Sequence, residues 1–341
     1  MLTPYKSRCI VCITTTNTKH SDGVIHLRRK CMNKKQVIKF LIFVFVSAYA
    51  IQIVASILAI KNPGGMGQIL FTILLMILMF TPFFGALFAK GNFKGINFIP
   101  RFKKVAWLIP LCWFGPAIIA SLGGALFFLI FPDMFDLTGS YIASTLPEGL
   151  NLEEQLKSIG ISLNLLTFIQ IIQAITYAPL INMVLALGEE VGWRGFLYPE
   201  LNKSMGKVPT WIIGGLIWGA FHFPVIILVG YEYGTEYFGH PYIGLIVFSV
   251  FTIALGLIEE VVYDKSKCIW YPSLLHGAIN AGSFVCLFTN VNNAERFGKL
   301  QILGPFYNGA IGGIPLLILS IIVAVIVLTK KGTKSEEVTE A

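Results

Sequence analysis

The feature that most constrains the fold is a series of about eight apolar runs, each roughly 20 residues long. An α-helix rises 1.5 Å per residue, so a run of this length crosses the ~30 Å hydrocarbon layer of a membrane. The runs are continuous rather than alternating, which favours helices over the strands of a β-barrel. The sequence therefore predicts an all-α, polytopic helical membrane protein with about eight transmembrane helices. We expect these near residues 37–60, 67–89, 105–131, 164–188, 210–229, 242–262, 270–289 and 311–329.

The composition excludes two other classes of protein. The 341 residues are 55% apolar and only 13% charged, whereas an ordinary soluble domain is about 25% charged. A soluble globule with so few charges could not cover its surface with polar side chains. Soluble enzymes and disordered proteins are thereby excluded, and a multi-pass protein of the cell membrane is expected.

The basic residues predict the orientation in the membrane. With eight spans, every Lys and Arg falls in loops on one side except Lys61, Lys157, Arg296 and Lys299. By the positive-inside rule, both termini are cytoplasmic. The opposite loops are acidic, with Asp133, Asp136, Glu148, Glu153, Glu154, Glu232 and Glu236. The net charge of +8 therefore reports orientation in the lipid bilayer, and no nucleic-acid partner is expected.

The predicted topology divides the chain into three segments. Residues 1–35 are polar and are expected to be a disordered cytoplasmic segment. They contain a Cys9–Cys12 pair that lacks the second pair a zinc site needs. Met32-Asn33-Lys34-Lys35 leads directly into the first apolar run and resembles a natural start of the chain. Residues 36–330 form the membrane domain, and residues 331–341 a cytoplasmic tail.

A few ionisable residues lie in or beside the spans, where they are costly and are functional candidates by default. Glu189 and Glu190 close the fourth span, His222 lies in the fifth, and His276 lies in the seventh. The pair Glu259–Glu260 ends the sixth span beside Asp264 and Lys265, and its position predicts a solvated interface.

Helical spacing gives these groups different roles. Glu190 and Arg194 are four residues apart and can form an ion pair. Glu189 is rotated by about 100° from Glu190 and stays free to act as a base.

Two further pairs share the same spacing of four residues. His276 and Asn280 can offer two neutral hydrogen-bond donors to one point, as an oxyanion hole requires. Trp218 and His222 are expected to pack side by side, and Pro224 is expected to loosen the helix beside them. The alternatives are structural roles. The acidic cluster could be interfacial charge that anchors the helix, and each histidine could form an interhelical hydrogen bond.

Taken together, these motifs resemble the CPBP family, which contains the CAAX proteases and bacteriocin-processing membrane proteins. The resemblance covers about residues 160–290 and rests on Glu189-Glu190-xxx-Arg194, Trp218-xxx-His222 and His276-xxx-Asn280. The sequences beside these motifs also resemble the family, namely Gly192-Trp193-Arg194-Gly195-Phe196-Leu197-Tyr198-Pro199 and Trp270-Tyr271-Pro272-Ser273-Leu274-Leu275. One departure is Trp218, because the second motif commonly begins with Phe.

The resemblance implies an intramembrane endopeptidase that hydrolyses a peptide bond near the cytoplasmic leaflet. It implies that Glu189 and His222 activate the water and that His276 and Asn280 hold the oxyanion. Glu190, Arg194 and Trp218 would support them. The partner expected is a peptide or protein substrate at the membrane; whether it is prenylated stays open.

Two other functions and one other mechanism remain open from the sequence. A bacteriocin self-immunity or regulatory protein could use the polar cluster to bind a partner, and a transporter could use it as a proton relay. No cofactor is expected. Zinc is possible through Glu189, His222 and His276, although an HExxH motif is absent.

Overall fold

The computed structural model describes residues 31–100, 102–146 and 150–337. Within them the chain is helical, and the β-type pairing is one isolated bridge between Phe135 and Thr289. The predicted all-α class is confirmed. The Cys9–Cys12 pair lies outside the described residues, so the expectation for it is untested. The helices are α1 (Lys34–Lys61), α2 (Met66–Leu78), α3 (Thr81–Lys90), α4 (Phe102–Val105), α5 (Leu108–Ile130), α6 (Ser140–Ser144), α7 (Leu152–Ser158), α8 (Leu163–Ile175), α9 (Ala178–Gly192), α10 (Tyr198–Met205), α11 (Lys207–Phe221), α12 (Phe223–Val229), α13 (Tyr242–Ser266), α14 (Trp270–Ala281), α15 (Ala294–Leu300) and α16 (Ile314–Glu337).

Four helical segments in the described part of the chain are long and apolar enough to cross a membrane: α1, α2 with α3, α5 and α13. The number rises to six if each of two bent pairs is one span, namely α7 with α8, bent by 87°, and α11 with α12, bent by 42°. The predicted spans near 37–60, 67–89, 105–131 and 242–262 match the first four. The count of eight and the cytoplasmic termini stay predictions.

The predicted span at 164–188 is instead two helices. α8 ends at Ile175 and α9 begins at Ala178, with Pro179 in the first turn of α9, where its missing N–H removes no hydrogen bond. The indole of Trp113 donates to the carbonyl oxygens of Ile175, at 3.0 Å, and Thr176, at 2.9 Å. These bonds satisfy carbonyls that the end of α8 leaves without an intrahelical partner.

The predicted span at 270–289 is also interrupted. α14 has 12 residues and is therefore about 18 Å long, too short to cross the hydrocarbon layer. A 3-10 turn at Ser283–Phe288 follows it. Every residue of α14 from Tyr271 to Ile279 is buried, because α5, α9 and α13 pack around it. α14 is thus a central helix of the bundle.

The contact between α14 and α9 depends on Gly277. A Cβ atom at this position would lie 2.4 Å from the backbone nitrogen of Met183 and 2.7 Å from the carbonyl oxygen of Pro179. The two backbones therefore meet directly, which is the use that membrane helices make of small residues. This contact brings His276, the preceding residue, against the acidic end of α9.

The outer surface of the bundle is apolar. Large aliphatic side chains are exposed along α1, α5 and α16, including Ile42 at 61%, Leu129 at 81% and Ile321 at 55% of their surface. Soluble monomers rarely expose contiguous apolar patches of this kind. An apolar outer surface of this kind is typical of a protein embedded in a lipid bilayer.

We predict that Gly277→Ala destabilises the protein by roughly 1–3 kcal/mol, because the added methyl group meets rigid backbone. The measurement is the thermal unfolding midpoint in detergent micelles. Gly124→Ala is the matched control, since its Cβ would meet side chains rather than backbone, with Val285 at 3.3 Å and Phe128 at 3.9 Å. Equal unfolding midpoints for the two variants would contradict the proposed backbone contact.

We also predict that the C-terminus is cytoplasmic. Green fluorescent protein fused after Ala341 should fluoresce in a bacterial host, and alkaline phosphatase fused there should be inactive. A truncation after Thr138, which follows three predicted spans, should give an active phosphatase fusion. The reverse pattern would invert the predicted topology.

Candidate functional site

Glu189 is held in place by two indoles. Its Oε2 atom accepts hydrogen bonds from Trp218 Nε1, at 2.7 Å, and from Trp193 Nε1, at 3.1 Å. Trp193 lies one helical turn further along, and Trp218 lies on α11. Two N–H donors on one oxygen fix the orientation of the carboxylate. The side chain is 2% exposed and contributes to the wall of a cavity described below.

Glu190 points to a different set of partners, as the helical rotation predicts. Its Oε1 atom accepts hydrogen bonds from Arg194 Nη1, at 2.9 Å, and from His276 Nδ1, at 2.8 Å. The predicted ion pair between Glu190 and Arg194 is therefore present. Both side chains are fully buried.

The same guanidinium forms a second ion pair that the sequence did not predict. Arg194 Nη2 contacts Glu259 Oε2, and Glu259 Oε1 lies 3.9 Å from His276 Nδ1. We call Glu190, Arg194, Glu259 and His276 the buried charge cluster. A Trp218 ring lies against it, with its centre 4.3 Å from the Arg194 guanidinium carbon.

The prediction that Glu259–Glu260 is a solvated interface was wrong. Glu259 is 0% and Glu260 5% exposed; Glu260 accepts hydrogen bonds from Trp211 Nε1, at 2.9 Å, and Lys207 Nζ, at 3.1 Å. The arginine, tryptophan and lysine that bind these two carboxylates lie about 50 or more residues away in sequence, so local spacing could not reveal them. Gly256, on the same helix, leaves room for this pairing, since a Cβ there would lie 2.4 Å from Tyr198 Oη and 3.2 Å from Arg194 Nη2.

His222 lies at the bend between α11 and α12. Its Nδ1 atom is 3.1 Å from the carbonyl oxygen of Trp218. A carbonyl can only accept, so Nδ1 carries the proton and Nε2 of the neutral ring is an acceptor. Pro224 is in the first turn of α12, and the 42° bend agrees with the predicted loosening of the helix there.

The predicted contact between the Trp218 indole and the His222 ring is replaced by other contacts. The Trp218 ring meets His276 edge to face, with ring centres 5.2 Å apart. The His222 ring packs against Phe221 and Phe248, at 4.9 Å in each case. Because the bend follows Phe221, the regular helical spacing behind the prediction does not hold at His222.

The predicted catalytic residues line one cavity of about 450 Å³. Glu189 from α9, His222 from the α11–α12 bend, and His276 and Asn280 from α14 all line it, together with Trp218. Asn280 is exposed into it. Glu190 and Arg194 do not line the cavity and lie behind its wall. The structure thus separates the residues that face the cavity from the residues behind them that position their side chains.

Glu232 also lines this cavity, although the sequence places it in an outer loop. It has a φ of 71°, a left-handed conformation that is uncommon for a non-glycine residue. Its Oε2 accepts a hydrogen bond from Asn308 Nδ2, at 2.7 Å. Burial raises the pKa of Glu232, and the bond from Asn308 opposes that shift. The positive φ is not readable from sequence, so nothing there distinguished Glu232 from ordinary loop acids.

The potential metal ligands that lie close together differ from Glu189, His222 and His276, the set that the sequence left as a possibility for zinc. Among residues 31–100, 102–146 and 150–337, the group whose ligand atoms lie within 4.8 Å of one another is Glu190, Glu259 and His276. Both carboxylates of this group already bind the Arg194 guanidinium, and neither lines the cavity where a catalytic zinc keeps an open coordination position. Oε2 of Glu189, one of the possible zinc ligands considered from the sequence, is bonded to two indoles instead. These contacts favour a water activated by glutamate over one bound to zinc, and the choice between the two mechanisms stays a prediction.

Comparison with known proteins gives two matches in this part of the chain. Residues 171–282 match the family model described as type II CAAX prenyl endopeptidase Rce1-like. A curated protein named CAAX prenyl protease 2, from Methanococcus maripaludis, is 25% identical over 130 residues, which are 37% of this chain and 48% of that protein. The chain thus matches about half the length of that relative.

The matched region contains every motif on which the resemblance was based. It begins in α8 and ends just after α14, so it includes the two indoles around Glu189 and the whole buried charge cluster. The resemblance to this family is confirmed for residues 171–282, which match its Rce1-like model.

Proposed function

We propose that the protein is an intramembrane endopeptidase of the CAAX-protease-like type, located in the cell membrane and acting near its cytoplasmic leaflet. The observation that carries the proposal is the convergence of Glu189, His222, His276 and Asn280 on one cavity from three helical segments. A carboxylate base, a neutral imidazole and two potential oxyanion donors are the groups that peptide hydrolysis by activated water needs. The proposed substrate class is a peptide or protein that reaches the membrane.

In the proposed reaction Glu189 and His222 act on the attacking water. Glu189 is oriented by its two indole bonds, and His222 presents an accepting Nε2 because its Nδ1–H is bonded to Trp218. Together they take a proton as the water oxygen attacks the peptide carbonyl carbon. The proton then passes to the leaving nitrogen as the C–N bond breaks.

His276 and Asn280 are proposed to stabilise the oxyanion. Because the Nδ1–H of His276 is bonded to Glu190, only a doubly protonated ring can also donate from Nε2. The buried charge cluster supports that form: its two carboxylates and one guanidinium leave one negative charge, which an imidazolium neutralises. This refines the expectation of two neutral donors, since one donor is then cationic.

We predict that Glu189→Gln and His222→Ala each lower proteolysis by at least about 10²-fold, since each removes a proton acceptor. The measurement is mass-spectrometric mapping of peptide termini in membranes that carry the wild type or a variant. Glu154→Gln is the matched control because Glu154 is exposed on α7. If the cleaved termini seen with the wild type persist in membranes that contain folded Glu189→Gln protein, the non-catalytic immunity or regulatory function is favoured.

We predict that chelation leaves the activity within about twofold of its starting value, because the proposed mechanism activates the water with Glu189 and His222 and needs no metal. The assay compares cleavage before and after treatment of the purified protein with phenanthroline, and elemental analysis measures bound zinc. Loss of cleavage that added zinc restores would replace the glutamate mechanism with a metal-dependent one.

A further inference from the structure

A second cavity lies between α5, α13, α14 and α16 and adjoins the candidate-site cavity. It has a volume of about 330 Å³ and is lined almost entirely by aliphatic and aromatic side chains. We call it the apolar groove, and its walls include Leu111, Ile258, Val261, Leu275, Leu319 and Val323. The proposed proteolysis does not use this space.

One end of the apolar groove carries a positive charge. Lys265 and Trp107 line that end, and the Lys265 Nζ atom lies 5.5 Å from the centre of a Trp107 ring. Asp264 pairs with Lys207 and Lys267 instead. No ion pair involving Lys265 occurs in the described part of the chain.

The groove has the length of one membrane leaflet. Along α13 it extends from Leu255 to Lys265, a rise of about 15 Å at 1.5 Å per residue. This is half of the ~30 Å hydrocarbon layer. Lysine and tryptophan are the side chains that favour the boundary between hydrocarbon and headgroups. Lys103 and Lys104, which are exposed on the short helix just before Trp107, add positive charge to the same predicted cytoplasmic side.

We propose that the apolar groove binds an anionic phospholipid of the cytoplasmic leaflet. One acyl chain lies between the four helices, and the headgroup phosphate lies at Lys265 beside Trp107. Basic sites between membrane helices on the cytoplasmic side favour anionic lipids, and each cation near the surface contributes measurably to that preference. An anionic lipid fits because the apolar groove has the length of one leaflet and carries a cation without an ion-pair partner among the described residues, Lys265, at one end.

The bound chain would touch the back wall of the candidate site. Leu255 and Ile279 line both the groove and the site cavity, and Ile279 precedes Asn280 on α14. An occupied groove therefore packs against the helix that carries His276 and Asn280, and lipid binding stabilises that helix in place.

The test is native mass spectrometry of the delipidated full-length protein, titrated with phosphatidylglycerol or phosphatidylcholine. We expect the wild type to prefer phosphatidylglycerol by about fivefold, the contribution of one cation near the phosphate. Lys265→Gln should lose that preference. Lys94→Gln is the matched control, since Lys94 is exposed on the same predicted side and does not line the groove. Leu319→Trp should fill the groove and weaken binding of both lipids.

Three results would overturn the proposal. The first is equal binding of the two lipids by the wild type, and the second is wild-type binding by both Lys265→Gln and Leu319→Trp. The third is a farnesylated peptide that binds in a Leu319-dependent manner while phosphatidylglycerol does not, which would assign the groove to a lipid-modified substrate. Because binding is measured without cleavage and can be repeated with Glu189→Gln, the result is independent of the proposed function.

Discussion

The buried pairing of Arg194 with two carboxylates is the interaction on which the rest of the site depends. Arg194, Glu190 and Glu259 are all fully buried, and removing one partner of such a group typically costs about 3–5 kcal/mol because it leaves an unpaired buried charge. The guanidinium connects α9 to α13, and Glu190 connects α9 to His276 on α14. Three helices are thereby fixed relative to one another by charges that do not themselves line the cavity.

The cavity residues are positioned by this cluster and by the tryptophans around it. The Trp218 side chain contacts three groups: it donates to Glu189, lies beneath Arg194 and meets the ring of His276. Its backbone carbonyl sets the tautomer of His222. The aromatic residue of the second motif is therefore the contact that joins the proposed base to the buried charge cluster. Orienting contacts of this kind reduce the reorganisation that a reaction requires.

Several features were predictable because they depend on short sequence distances. Apolar runs set by membrane thickness located α1, α5 and α13, and the spacing of four residues predicted the bond between Glu190 and Arg194. The broken helices near Thr176 and after Ala281 were missed. Mean apolarity does not register a break when a side chain such as Trp113 satisfies the freed carbonyls.

The sequence alone determined the all-α membrane class and the small set of ionisable residues around which a site could form. Composition and helical periodicity are properties of a single chain segment, so they can be read locally. Only the tertiary structure decided which residues meet: Glu259 joins Arg194 from a helix 65 positions away, and Glu232 reaches the cavity from a loop. Such contacts depend on close helix approaches like the one at Gly277, whose geometry is set by packing between segments and is not encoded in the spacing within any one of them.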